Sequence, residues 1–168
     1  GIKMKSRVEA LTNAKIPVMG HVGLMPQTSP LWGGYRVQGR TDKTAEEIIK
    51  DAIAIEEAGA FSVVLEMVTS EVAKIITEKL SIPTIGIGSG PDCDGQIVVF
   101  HDILGLYDKF TPKFIKKYAN LGEEIKKALE SYRDEVINGK FPAEENTFHM
   151  KDYKANPPLK RRIIKNIR

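Results

Sequence analysis

Cysteine is nearly absent. Cys93 is the only one in 168 residues, so no intramolecular disulfide can staple the fold, and a reducing, cytoplasmic setting is expected. This thiol, between Asp92 and Asp94, reads as a loop residue, since no second thiol joins it as ligand or resolving partner. Long apolar runs are missing too: nothing approaches the roughly 18 residues of a membrane span, and no secretory leader pattern stands at the start. With three histidines, the chain has no His-Glu-x-x-His and no closely spaced His or Cys pair, so no metal site is complete within it. Basic charge is scarce where nucleic acid would need it. Residues 151–168 hold seven Lys/Arg and one Asp, which leaves 18 basic and 21 acidic residues in 1–150. The net charge of +3 therefore belongs to a tail, and the body carries no basic stripe.

What is present is an ordinary globular composition, 42% hydrophobic and 28% charged, of a length that suggests one domain. Residues 61–67, Phe-Ser-Val-Val-Leu-Glu-Met, form a short apolar run between Gly59 and Thr69-Ser70, which predicts a buried strand with Glu66 at its C-terminal end. Before it, residues 3–13 have helical spacing, residues 16–20 predict a strand leading into a loop at His21, and residues 27–40 predict a long functional loop or lid. Residues 44–58 predict a helix capped by Thr44 or Asp42 and closed by Gly59. After it come a helix over 70–80, a strand with a glycine-rich turn over 81–90, and a fourth strand over 96–101. Thr111-Pro112 predicts a helix start, and residues 121–138 predict a longer helix closed by Gly139. Residues 143–168 predict an extended segment ending in the basic tail.

Strands alternating with helices predict an α/β fold with a parallel sheet. Four groups fall at C-terminal strand ends, which share one face of such a sheet: His21, Glu66, the Gly86-Ile-Gly-Ser-Gly90 turn and His101-Asp102. That face is where ligands bind in (β/α)₈ barrels and in doubly wound sheets. Glu66 is then a general base with a pKa raised by its apolar neighbours, or a rim carboxylate in an ion pair. His21 is a substrate donor or proton shuttle, or a rim histidine bonded to a backbone carbonyl. His101-Asp102 reads as structural, because neighbours on a strand point to opposite faces. The 86–90 turn is an anion cradle or a tight barrel turn.

Several motifs stand together in one order: Pro17-Val-Met-Gly-His-Val-Gly-Leu-Met-Pro-Gln27, Gly33-Gly-Tyr-Arg-Val-Gln-Gly-Arg40, Leu65-Glu66, Ile82-Pro-Thr-Ile-Gly-Ile-Gly-Ser-Gly90, Asp94-Gly-Gln96 and His101-Asp102. Over residues 1–149 the chain resembles the 3-methyl-2-oxobutanoate (ketopantoate) hydroxymethyltransferases. The resemblance implies a (β/α)₈ TIM barrel that assembles as a homo-oligomer, a decamer in the family. It implies transfer of a hydroxymethyl group from 5,10-methylenetetrahydrofolate to a small keto acid, giving 2-dehydropantoate, with Mg²⁺ as cofactor and Glu66 as the base. The family's metal-binding aspartates, a further metal-site glutamate and a substrate-binding lysine belong to earlier strands and have no counterpart in this sequence. Gly1 matches the last glycine of the family's Lys-Ile-Glu-Gly-Gly motif. The chain is thus expected to be about the second half of a barrel (strands five to eight and the closing helices) over 1–142, followed by the tail. Two other readings remain: an inactive half-barrel, and a different metal-dependent keto-acid carbon–carbon lyase or mutase.

Overall fold

The computed structural model describes residues 1–27, 34–107 and 109–150. Residues 28–33 of the expected lid, Trp32 and Gly33 among them, and the basic tail 151–168 lie outside the described residues. A 3₁₀ turn (Ile2–Met4) leads into α1 (Lys5–Asn13), followed by β1 (Met19–Gly23), α2 (Asp42–Glu57), β2 (Ser62–Glu66), α3 (Ser70–Lys79), β3 (Thr84–Ile87) and β4 (Gly95–Gln96). A short α4 (Phe100–Ile103), the long α5 (Leu121–Ile137) and a 3₁₀ turn (Glu144–Asn146) follow among the described residues.

All neighbouring strands are parallel and the sheet order is β1-β2-β3-β4. A doubly wound sheet reverses direction at a switch point, whereas a barrel adds each strand beside the last. Four parallel strands in chain order, with α2 and α3 in the first two connections and a short turn-rich loop in the third, fit half of a (β/α)₈ barrel.

The two faces of the sheet differ. Val22, Val63, Leu65 and Thr84 point to one side and are buried under Ile48, Ala52 and Ile55 of α2 and Val72, Ala73 and Ile76 of α3. His21, Val64, Glu66, Ile85 and Ile87 point to the other side and are only half-buried. In a closed barrel the second face is the interior. α2 starts where Thr41 accepts the Thr44 N–H at 3.3 Å while Thr44 Oγ1 accepts the Thr41 N–H at 3.1 Å. The cap is thus Thr41 rather than the expected Thr44 or Asp42, and Thr44 is the partner that closes the box, in place of Glu47.

Three expectations need correction. β1 begins at Met19 rather than Ile16, and His21 lies within it. The chain is still leaving α1 at that point: the Ile16 N–H donates to Leu11 O, Lys15 has φ +62, and Pro17 has no N–H for a ladder. The fourth strand stops at Gln96, and residues 100–103 form a helix. The Ile97 N–H makes the last bond to β3, at Gly86 O, and the Val99 carbonyl then accepts from Asp102 and Ile103. A continuous apolar run cannot by itself distinguish a strand from a short helix. His101 and Asp102 therefore sit on α4, not at a strand end. Thr111-Pro112 opens a single turn, closed by the Ile115 N–H on Pro112 O, after which the Tyr118 N–H is taken by Ile103 O.

One carboxylate holds the bottom of the α2–β3 packing. Glu56 Oε1 accepts the Ser81 N–H at 2.6 Å, the Ser81 hydroxyl at 2.7 Å and the Ile82 N–H at 3.2 Å. The Ser81 hydroxyl contributes most to holding this carboxyl below the ordinary glutamate range. A folded pKa below the unfolded one gives stability that is complete above about pH 4.3 and is lost as pH falls through the depressed value. Glu56→Ala is expected to cost about 1 kcal/mol at pH 7. Urea unfolding should show that deficit shrinking at pH 3; a deficit independent of pH would leave the charge without a role.

Candidate active site

Leu65 and Glu66 end β2, and the next residue leaves the strand abruptly: Met67 has φ +49, a left-handed conformation that side chains other than glycine disfavour. Four neighbours hold it there. The Leu24 N–H donates to Glu66 O at 2.8 Å, and the Met67 N–H donates to Ile87 O at 2.9 Å. The returning arm of the β1–α2 loop supplies Gln38, whose N–H donates to Met67 O at 2.7 Å and whose carbonyl accepts the Thr69 N–H at 3.0 Å. Ser89 closes the set: its hydroxyl donates to Leu65 O at 2.7 Å and accepts the Val68 N–H at 3.1 Å. The backbone from Leu65 to Thr69 is thereby bonded on both sides. Strained backbone survives only where the surroundings over-determine it, and such places cluster at functional sites.

The fixed backbone aims the Glu66 carboxylate at His21. Two strand positions separate them along the sheet, since Gly23 is the register partner of Glu66 and His21 that of Val64. His21 Nε2 lies 3.2 Å from Glu66 Oε2 and 2.9 Å from Leu24 O. A carbonyl can only accept, so Nε2 carries a proton, shared between the carbonyl and the carboxylate. His21 is thus bonded to a main-chain carbonyl, as the rim reading has it, and lies against the Glu66 carboxylate as well. The Glu66 side chain is 16% exposed and that of His21 33%. Burial pushes the Glu66 carboxyl above the ordinary glutamate range, with the His21 charge pulling the other way. A carboxylate raised in this way, with Oε2 held by His21, is suited to accept a proton from a carbon acid.

Other candidates resolve into structure. The 86–90 turn is filled from within: the Phe114 ring covers Gly88, Ser70 lies against Gly90, and the Cys93 sulfur approaches Gly86. That is the tight barrel turn rather than an open anion cradle. In Asp94-Gly-Gln96, Asp94 Oδ2 accepts the Thr84 N–H at 2.8 Å and the Thr84 hydroxyl at 2.9 Å, and Gln96 Nε2 donates to Gly90 O at 2.9 Å. The motif thus clamps β4 to both ends of β3. Cys93 is buried, and burial pushes its thiol up, away from the thiolate a nucleophile needs. Among the described residues no group of three or more His, Cys, Asp or Glu side chains could hold a metal ion, and no helix is long and apolar enough to cross a membrane.

Sequence reasoning did not find Ser89, Gln38 or the strained Met67 as parts of this site. Gln38 and Ser89 stand inside quoted motifs, but their roles arise from backbone bonding across strands, which residue type does not announce.

Residues 1–144 match the family model described as ketopantoate hydroxymethyltransferase. The chain is 54% identical over 155 residues to the 3-methyl-2-oxobutanoate hydroxymethyltransferase of Syntrophobacter fumaroxidans, covering 92% of this chain and 55% of that protein. It is 58% identical over 141 residues to the enzyme of that name from Moorella thermoacetica, covering 84% and 52%. With that of Nitrosopumilus maritimus it shares 56% identity over 150 residues, covering 89% and 54%. The chain spans about half the length of the curated relatives it matches. With its half-barrel strand order and its matched length, this chain belongs to the ketopantoate hydroxymethyltransferase family.

Proposed function

We propose that this chain supplies the proton-abstracting half of a hydroxymethyltransferase site. The observation that carries the reading is the half-buried, base-shifted Glu66 carboxylate held by His21 at the C-terminal end of a parallel strand. The substrate is 3-methyl-2-oxobutanoate, whose C3 hydrogen is acidified by the neighbouring ketone. Glu66 Oε1 removes that proton, and the resulting enolate forms a carbon–carbon bond to the methylene carbon of 5,10-methylenetetrahydrofolate; the two carbon–nitrogen bonds to the folate break, water supplies the hydroxyl, and tetrahydrofolate leaves, giving 2-dehydropantoate. His21 keeps Oε2 occupied, so the open oxygen faces the substrate, and the same histidine borders the keto acid. Mg²⁺ would be held by residues outside this chain, together with the anchor for the substrate carboxylate; in support, no three His, Cys, Asp or Glu side chains cluster among the described residues. The setting would be cytoplasmic and the working form a homo-oligomer.

The matched length favours one further statement: alone, the chain does not turn over. The test supplies keto acid, methylenetetrahydrofolate and Mg²⁺ to the chain by itself, then with the first half of a full-length relative. Turnover is expected only in the second mixture. Turnover by the isolated chain would show a complete site within it, and none in a mixture that forms a folded complex would count against the catalytic reading.

A further inference from the structure

We propose that Ser89 is a positioning residue for Glu66, its hydroxyl joining the residues on either side of the Glu66-Met67 pair and so fixing where the carboxylate points. This deepens the reading of Glu66 given above and rests on it for its catalytic meaning.

Ser89 is 1% exposed, and both capacities of its hydroxyl are used within the chain, one bond to Leu65 O at 2.7 Å and one from the Val68 N–H at 3.1 Å. Leu65 O also stands in the β2–β3 ladder, but the Val68 N–H lies outside any named strand. Val68 is buried, so losing the oxygen would strand its N–H away from water. The cheapest relief is for Met67 to leave its left-handed conformation (φ +49). That rotates the peptide carrying Glu66 and takes the carboxylate off His21, 3.2 Å away. A hydroxyl that bridges two backbone groups across a strained residue is therefore tied to the direction of one side chain, beyond filling space. The glycines on either side of Ser89 let the turn reach into the sheet: Gly88 and Gly90 have φ +64 and φ +83.

The test is carbon-13 NMR titration of the Glu66 carboxyl in the 168-residue chain, alongside amide hydrogen exchange. In Ser89→Ala the titration midpoint should fall toward the ordinary glutamate value as the carboxylate turns to solvent. The Val68 amide should then exchange roughly tenfold faster or more. Thr84→Val is the control. Thr84 is another fully buried hydroxyl on the same sheet, bonded to Thr77 and Asp94 at the far end of β3, and its loss should leave the Glu66 midpoint in place. An unmoved midpoint in Ser89→Ala overturns the proposal, as does an equal shift in Thr84→Val. So does unprotected exchange of Val68 in the wild-type chain, which needs no variant to fold. None of these readouts involves substrate. If Glu66 is not the base, C3-proton exchange survives Glu66→Gln while the effect of Ser89 on the carboxyl stands.

Discussion

Glu66→Gln, introduced into the barrel reconstituted from its two halves, is expected to abolish exchange of the C3 proton of 3-methyl-2-oxobutanoate while leaving Mg²⁺ binding intact. The amide keeps the shape of the carboxylate and a hydrogen-bond acceptor toward His21, but it has no basicity at neutral pH. A positioned general base contributes roughly 10²- to 10⁴-fold, and in the mechanism proposed above loss of the C3 proton precedes every later bond change. Exchange and turnover should therefore fall together by about that factor. Solvent-deuterium exchange followed by proton NMR measures the first step without the folate. In the unmodified site the carboxylate must be ionised to act. Burial raises the Glu66 pKa, so the rate should decline with falling pH from a point above the ordinary glutamate value of about 4.3. Wild-type exchange in the glutamine variant would remove Glu66 from the base role.

Gly23→Ala should be the most damaging single methyl group in the sheet. Gly23 has φ +95, which already disfavours any side chain. A Cβ there would collide with the Glu66 carbonyl oxygen, and it would lie 2.8 Å from Val68 Cγ2. The carbonyl is the one that accepts from Leu24, so the clash falls on the bond joining the ends of β1 and β2. Left-handed strain and overpacking each cost on the order of 1–3 kcal/mol. Together, about 3 kcal/mol or more is a large share of the roughly 5–15 kcal/mol that a domain has. Gly34→Ala separates the two terms. Gly34 has a similar φ, +90, but open space around its Cβ position, so only the conformational cost of about 1 kcal/mol applies. Denaturant unfolding of both variants should show the gap, and equal losses would mean that the contact with Glu66 is unimportant.

Much of the sheet was legible in the sequence because each strand is a short apolar run bounded by turn residues. The 61–67 run shortened only by its ends, to Ser62–Glu66, and α2, α3 and α5 fall within two residues of their expected bounds. The failures share a physical cause. The Ile97-Val98-Val99-Phe100 run is as apolar as a strand, but its ladder ends with the Ile97 N–H on Gly86 O, and the Val99 and Phe100 carbonyls are taken by the N–H groups of residues 102–104 in a local turn instead. Pro17 and the left-handed Lys15 delayed β1, which moved His21 from a loop into the strand. That shift is what places its ring beside Glu66. For the site, the carboxylate was legible from its position at a strand end. Its support was not: it consists of backbone bonds from residues 24, 38, 87 and 89, far apart in the chain, and no spacing rule reports such convergence.

The chain-order sheet also governs how this protein acquires its shape. Every ladder in the described sheet joins consecutive strands, so no pairing need wait for a distant part of the chain. Each helix closes over the strand pair it connects, and loop-closure entropy is met in modest instalments. Folding by accretion, one strand at a time, should give refolding kinetics governed by the β1–α2–β2 step, whose connection is the longest in the sheet. The slowest step would be the one that carries both His21 and Glu66.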